Sequence, residues 1–201
     1  QVTEGGEGSG GFSISNAGSS DLIFSLSDDQ PSGEYAWVDT LSPGGAVYDW
    51  IDISSLGSAV SLADDGESAM LAIGFPFPFY DGVYSQFQIG ANGVISFTSG
   101  NVGYSNQSLP SSEAPSQSVL VLWDDLNPSA GGTIRYHSTP ERLVVSWLAV
   151  PFYGSSSLQT FQVVLYPDGR ICFHYQTLNG TLTSATRSEE HTSELQSRSV
   201  I

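Results

Sequence analysis

Two short acidic segments carry the residue types that could bind a metal ion. Asp124 and Asp125 follow an apolar run and are followed by Asn127, and Asp64 and Asp65 lie between two strand-like runs. Their carboxylate and amide oxygens are ligands of the kind that Ca²⁺ prefers. The same side chains can instead accept hydrogen bonds from backbone amides in turns. Neither segment has EF-hand spacing, so both interpretations stay open, and Ca²⁺ is the only cofactor that the sequence suggests.

The residues of common catalytic sites do not form a recognisable set. The sequence has no G-x-S-x-G, H-E-x-x-H or P-loop motif. His137 and His174 lie in strand-like runs, and the single Cys172 is predicted to be a small buried hydrophobe. Glu113 and Glu141 lie in loops, whereas a glycosidase needs two carboxylates facing each other across a cleft. We therefore predict a protein that is not an enzyme, with a fragment of a secreted hydrolase as the alternative.

Aromatic side chains in loops offer a different kind of binding site. Tyr104 and Tyr153 lie in segments rich in Gly and Ser. An exposed aromatic ring presents an apolar face on which a sugar ring can stack. These two residues are the ligand-binding candidates, and a carbohydrate-binding module is a second alternative for the function.

The charge balance limits the classes of partner. The chain has 21 acidic and 5 basic residues, no Lys, and a net charge of -16. Such a surface repels nucleic acids and anionic membranes, and it suits divalent cations or cationic partners. The sequence has no run of 18 apolar residues, which is the length that would predict a membrane-spanning helix. We expect no nucleic-acid partner and no membrane insertion.

The spacing of apolar residues predicts the elements that position these side chains. Short alternating runs separated by Gly, Pro, Asn and Asp recur along residues 34–186, as in sandwiches and barrels. Residues 160–176 predict a hairpin around Pro167-Asp168-Gly169, and Ala91-Asn92-Gly93 predicts a tight turn with positive φ at Asn92 and Gly93. We predict an all-β fold: a mainly antiparallel, two-sheet sandwich with jelly-roll-like wrapping.

Composition and local patterns divide the chain into four predicted segments. Residues 1–27 resemble the closing strands of an Ig-like domain, with a hairpin over 10–27, and residues 28–33 have a linker's composition. Residues 34–186 form the sandwich, which is expected to be truncated. The string from Arg187 to Ser197 resembles a translated sequencing adapter at the end of a metagenomic fragment. Residues 187–201 are therefore predicted to be a non-native tail.

Motifs spread over residues 35–186 resemble a known extracellular module. They include Tyr35–Asp39, Trp50–Ile53, Phe75–Tyr80, Gly90–Gly93 and Trp123–Pro128. In this order they resemble a β-sandwich accessory module of secreted, multidomain bacterial proteins, often beside subtilisin-like peptidase or cell-surface sorting domains. They are also distantly similar to the NIDO-type domains of animal adhesion proteins.

The resemblance implies a role outside the cell. It predicts a non-catalytic interaction or spacer module of a larger secreted or surface-anchored bacterial protein, located extracellularly or at the cell surface. The expected partners are neighbouring domains of the same polypeptide, with a glycan or an extracellular protein as further candidates. Adhesion is one role that such a module would serve.

Overall fold

The computed structural model describes residues 23–27, 35–41, 45–80, 82–100, 103–107, 115–180 and 185–190, and this part of the chain has strands but no helix. The strands are β1 (Ile23–Ser27), β2 (Ala36–Asp39), β3 (Ser58–Val60), β4 (Leu71–Phe79), β5 (Gly82–Gly90), β6 (Val94–Ser96), β7 (Ser118–Trp123), β8 (Thr133–Thr139), β9 (Arg142–Pro151), β10 (Leu158–Leu165), β11 (Ile171–Thr177) and β12 (Thr186–Glu190).

The strands form two antiparallel sheets that face each other. The larger sheet has the order β2-β1-β11-β10-β9-β8-β3, and the smaller has the order β12-β7-β6-β5-β4. Consecutive strands β4 to β7 pair within the smaller sheet, and β8 to β11 pair within the larger one. The chain changes sheet after β3, after β7 and after β11. The prediction of an all-β, antiparallel two-sheet sandwich is confirmed.

The main core lies between the sheets because alternate residues of each strand point inward. Phe161, Val163 and Leu165 of β10 are fully buried on the inner face. Trp147 stacks on Phe161 with ring centroids 4.9 Å apart, and its indole N–H donates to Gly90 O at 3.3 Å across the core. The aromatic pair therefore also ties the larger sheet to the smaller one.

The two turns expected from the sequence are present. The β10–β11 hairpin pairs Leu165 with Ile171, and the turn between them ends at Gly169 with φ 89°. Residues 91–93 connect β5 to β6, and Gly93 has φ 74°. The expected positive φ at Asn92 is wrong, because in this turn Gly93 supplies the left-handed conformation and Asn92 does not.

The sheet pairings cross the predicted segment boundaries. β1 precedes residue 28, yet it lies between β2 and β11 in the larger sheet, with Ile23 opposite His174. This differs from the expectation that residues 1–27 belong to a preceding domain. β12 begins at Thr186 and pairs with β7 up to Glu190 opposite Ser118, so it extends into the predicted tail. Residues 10–22 of the expected N-terminal hairpin lie outside the described residues.

A segment that we call the strap, residues 45–57, covers the outer face of the larger sheet. Gln162 on β10 is fully buried and holds the strap through its side-chain amide. Its Oε1 accepts from Ile51 N, and its Nε2 donates to Ile51 O, both at 3.1 Å. Ile53 of the strap packs on Val144 and Val164 in a second, smaller core. The strap is therefore part of the fold.

The smaller sheet ends in a strand whose backbone is poor in hydrogen-bond donors. β4 is an edge strand that pairs with β5 on one side. Phe75, Phe77 and Phe79 point into the core, and Pro76 and Pro78 alternate with them. Proline has no N–H, and in sheets it is found on edge strands for that reason. Both prolines therefore remove donors from the strand at this edge.

Arg187 places a cation inside the core, and its replacement is expected to stabilise the protein. Its side chain is 7% exposed, its guanidinium lies 4.9 Å from the Tyr175 ring centroid, and its Nε has no hydrogen-bond partner in the described part of the chain. Replacing a poorly compensated buried ion by an apolar side chain of similar size is often stabilising. We expect Arg187→Met to raise the free energy of unfolding by about 1–2 kcal/mol.

Urea denaturation measures this change, and Arg170→Met, at a half-exposed arginine, is the control. A destabilised Arg187→Met variant would show that the cation–π contact with Tyr175 outweighs the desolvation of the guanidinium.

Candidate functional site

Three of the five predicted metal-ligand candidates converge at one end of the sandwich. Carboxylate oxygens of Asp64, Asp65 and Asp125 all lie within 4.8 Å of one another, and we call this set the acidic cluster. Asp64 and Asp125 are half-buried, and Asp65 is exposed. The two acidic segments, which the sequence places about sixty residues apart, therefore form a single candidate site.

Asn92 joins the two segments from within the fold. Its side chain is fully buried in the turn between β5 and β6. Its Nδ2 donates to Asp65 Oδ1 at 3.0 Å, and its Oδ1 accepts from Leu126 N at 2.9 Å. One amide group therefore fixes the loop of Asp65 relative to the loop of Asp125.

Backbone hydrogen bonds hold each loop against the sheet ends. In the first loop, Gly66 N donates to Ala63 O at 3.1 Å, and Ala91 N donates to Gly66 O at 2.8 Å. In the second loop, Tyr153 N donates to Asp125 O at 2.8 Å. The loop after β9 therefore holds the backbone of Asp125 in place. The cluster is thus built on loops that rigid strands position.

The carboxylates of the cluster repel one another. Burial raises the pKa of Asp64, and the charge of Asp65 raises it further. Burial also raises the pKa of Asp125, and Asp65, Asp64 and Asp124 add to this rise. Asp64 Oδ1 is buried and has no hydrogen-bond partner among the residues that the structure describes. A cation placed between these oxygens would relieve both the repulsion and the missing contact.

The two remaining candidates have local roles in the turn. Asp124 is buried, and its Oδ1 accepts from Asp125 N at 2.9 Å. Asn127 Oδ1 accepts from Ala130 N at 3.0 Å and from Ser129 Oγ at 2.6 Å. Both side chains thus accept hydrogen bonds within their own turn, and the acidic cluster does not include them; a metal-binding role for Asp124 and Asn127 stays a prediction.

The two predicted aromatic candidates lie in different places. Tyr104 is 55% exposed, in the segment whose Gly103 O accepts from the Trp123 indole at 2.8 Å on the outer face of the smaller sheet. Tyr153 is 59% exposed, and its backbone N–H is bonded to Asp125 O. Tyr153 is therefore a neighbour of the acidic cluster. A role of either ring in sugar binding stays a prediction.

A polar cleft borders the same loops. It has a volume of about 470 Å³ and lies between Ser61 and Leu62, which precede Asp64, and Pro128 and Ser129, which follow Asp125. Sequence reasoning anticipated the acidic side chains but missed this cleft and the bridging role of Asn92. An Asn-Gly pair between two strands indicates a turn, and nothing in that pattern indicates a buried side chain.

Neutralising Asp125 is expected to change how stability depends on pH. The folded-state pKa of Asp125 lies above the ordinary value of 3.8. The wild type therefore loses stability as pH rises from the unfolded-state pKa of Asp125 to its higher folded-state pKa. In that pH range the folded state must release a proton that the unfolded state has already lost. With a chelator present, we expect Asp125→Asn to melt at a higher temperature than the wild type near neutral pH and equally below about pH 3.

The control for this experiment is Asp52→Asn. Hydrogen bonds from Ser54 lower the pKa of Asp52, so this substitution should destabilise the protein near neutral pH. Equal pH profiles for the wild type and Asp125→Asn would rule out charge repulsion in the cluster.

Comparison with known proteins places these features in a family. Residues 42–196 match the family model described as NIDO related, and the match includes the strap, both acidic loops and strands β3 to β12. The chain belongs to the NIDO-related family. The NIDO-like resemblance expected from the sequence is confirmed.

Relatives of this NIDO-related chain include alpha-tectorins of three animals. The chain is 27% identical to alpha-tectorin of Homo sapiens over 154 residues and 26% identical to that of Mus musculus over 154 residues. It is 29% identical to alpha-tectorin of Gallus gallus over 153 residues. Each alignment covers 61% of this chain and 7% of the relative, so the chain spans a small part of these proteins.

No solved structure matches the NIDO-related chain significantly. Across the described ranges, no helix has the length and apolar character needed to cross a membrane.

Proposed function

We propose that this NIDO-related chain is a non-catalytic extracellular module of a larger protein, in which Ca²⁺ at the acidic cluster fixes two loops for interaction with a partner. The observation that carries the proposal is the convergence of three carboxylates within 4.8 Å. Family membership and the similarity to a small part of the alpha-tectorins support the role as one module among several.

The geometry of the cluster suits Ca²⁺. The ion takes 6–8 oxygen ligands at about 2.3–2.6 Å, so ligand oxygens on opposite sides of it lie about 5 Å apart. The oxygens of Asp64, Asp65 and Asp125 fall within that span. Three carboxylates offer at most six oxygens, so water or a partner's oxygens would complete the shell. Mg²⁺ requires shorter, near-octahedral contacts at about 2.0–2.1 Å and suits carboxylate oxygens spread over up to 4.8 Å less well.

A thermal melt with and without Ca²⁺ tests the metal site. A ligand that binds only the folded state stabilises it by about 2.7 kcal/mol at 100 times its dissociation constant. We expect millimolar Ca²⁺ to raise the melting temperature of the wild type by roughly 5–10 °C. Asp125→Asn should lose most of this rise, and Asp168→Asn, at an exposed carboxylate in the β10–β11 turn, should keep it.

No shift with Ca²⁺, or equal shifts in the wild type and Asp125→Asn, would overturn the metal proposal. The acidic cluster would then be a pair of turns that meet at the sheet ends.

The cellular context belongs to the same proposal. We infer that the parent protein is secreted or anchored at the surface of a bacterium and that the partners of this module are neighbouring domains of the same polypeptide. The resemblance to accessory modules supports this inference. Subtilisin-like or sorting domains beside residues 34–186 in the parent gene would support it further, and an animal gene with the same sequence would overturn it.

A glycan is the second partner that an observation favours. The Tyr153 side chain is exposed, its backbone N–H bonds to the Asp125 carbonyl, and the cleft of about 470 Å³ borders the acidic loops. Glycan-array binding that Tyr153→Ala abolishes and Tyr104→Ala retains would favour a carbohydrate-binding module. Absence of binding across the array would leave the spacer or adhesion role.

A further inference from the structure

A second cleft lies on the outer face of the larger sheet, away from the acidic loops. It has a volume of about 310 Å³ and opens between the strap and the end of the β10–β11 hairpin. Ala46 and Val47 of the strap line one side, and Tyr166 and Cys172 line the other. This volume is at the lower end of the range for sites that bind small molecules.

The strap is fixed on both sides of this cleft. Ala46 N donates to Asp39 O at 3.1 Å, at the end of β2. Five residues further on, the side chain of Gln162 holds the Ile51 peptide through two hydrogen bonds. The arch between these two points is therefore held by the fold, and the cleft beneath it is preformed.

The cleft carries charges of both signs. Asp49 contributes an exposed carboxylate from the strap, and Arg170 contributes a half-buried guanidinium from the hairpin. The guanidinium lies 4.0 Å from the Tyr166 ring centroid and 3.5 Å from the Asp168 carboxylate. Burial raises the pKa of the Cys172 thiol to about 11, Arg170 opposes this rise and Asp49 adds to it. The charges of Asp49 and Arg170 therefore both affect the ionisation of Cys172, which lines the cleft.

His174 lines the same cleft with a polar group that lacks a partner. Its side chain is 3% exposed, and its Nδ1 has no hydrogen bond to any described residue. The Tyr48 ring packs edge-on against the imidazole with centroids 5.8 Å apart. Burial lowers the pKa of His174 to about 4, and Asp49 opposes this, so the imidazole is neutral near pH 7. An unmet hydrogen bond at a buried group is unfavourable, and a polar ligand can supply it.

We propose that this cleft binds a small zwitterion of the α-amino-acid class with an apolar side chain. The ammonium group would lie at Asp49 and the carboxylate at Arg170, since each is the charge of opposite sign in the cleft. The apolar side chain would pack between Val47 and the Tyr166 ring. One oxygen of the same carboxylate would also accept a hydrogen bond from Nδ1–H of His174, which has no partner among the described residues. The site is independent of the Ca²⁺ proposal, because it shares no residue with the acidic cluster.

The test is an NMR titration of the whole chain with three ligands that share the leucine side chain and differ in their charged groups. Leucine carries both charges, leucinamide carries the ammonium group alone, and N-acetylleucine carries the carboxylate alone. We expect leucine to shift the imidazole signals of His174 and the amide signals of Cys172. Each single-charge ligand should bind about tenfold more weakly, the loss expected for one charge-assisted hydrogen bond.

Two variants locate the binding. Asp49→Asn should reduce leucine affinity to that of N-acetylleucine, and Asp52→Asn, in the same strap but outside the cleft, should leave it unchanged. Equal binding of leucine and leucinamide would overturn the zwitterion assignment and indicate a peptide N-terminus. Equal binding of leucine and N-acetylleucine would overturn it in favour of a C-terminus. No shift with any of the three at millimolar concentration would rule the site out.

Discussion

Gly93→Ala is expected to lose about 4 kcal/mol or more of unfolding free energy, a large share of the roughly 5–15 kcal/mol by which native domains are stable. Gly93 has φ 74°, a conformation that costs an L-residue about 1–2 kcal/mol. An added Cβ would also overlap the backbone carbonyl of Leu122. The neighbouring strand cannot move away, because Val121 N and Leu122 N both donate to Gly93 O, at 3.0 and 3.1 Å.

Urea denaturation of Gly93→Ala and Gly154→Ala separates the two causes. Gly154 also has positive φ, at 65°, but an added Cβ would have nothing within 4 Å. Gly154→Ala should therefore cost only about 1–2 kcal/mol. If the two variants had equal stability, the close approach at Leu122 would be unimportant. Failure of Gly93→Ala alone to fold is the strongest form of the expected result.

Asn92→Ala is expected to destabilise the protein by about 2–4 kcal/mol and to remove its response to Ca²⁺. The substitution deletes the bonds to Asp65 Oδ1 and Leu126 N, and it leaves a buried N–H of Leu126 without its acceptor. It also releases one acidic loop from the other, so the three carboxylates no longer hold one geometry. Calorimetric melts with and without Ca²⁺ measure both effects.

Asn127→Ala provides the matched control, since its side-chain oxygen accepts hydrogen bonds from residues two and three positions further along the chain. We expect it to cost about 1 kcal/mol and to keep the Ca²⁺ response. Asn92→Asp keeps the acceptor for Leu126 N and places a fourth carboxylate beside Asp65. It should be unstable with a chelator and partly rescued by Ca²⁺. An Asn92→Ala variant as stable as Asn127→Ala would contradict the bridging role.

Local sequence patterns predicted the elements well and their long-range partners poorly. The hairpin over residues 160–176 was predictable because strict alternation and the Pro-Asp-Gly turn are both local signals. The place of β1 beside β11 was not, because residues 23–27 and 171–177 are far apart in the chain. Their pairing depends on which sheet edge stays open after the hairpins have formed.

The acidic cluster, too, could be predicted from the sequence only in part. The oxygen-rich loops of Asp64 and Asp125 were recognisable from residue type. Their meeting was not, because the antiparallel run from β4 to β7 must bring both loops to one end of the sandwich. The pattern around Asn92 indicates a turn residue and no more, since a buried bridging amide and an exposed turn amide have the same local sequence. The cleft that contains His174 depends on the strap. The apolar residues of 45–57 show no periodicity from which the position of the strap could be predicted.

The prolines of β4 bear on how such modules can be joined in series. In a protein made of many domains, neighbouring copies are held at high local concentration, and an open sheet edge would invite them to pair. Pro76 and Pro78 leave this edge without two of the N–H groups that an incoming strand would need. In a protein of that kind, this edge would therefore resist exchange of strands between adjacent modules.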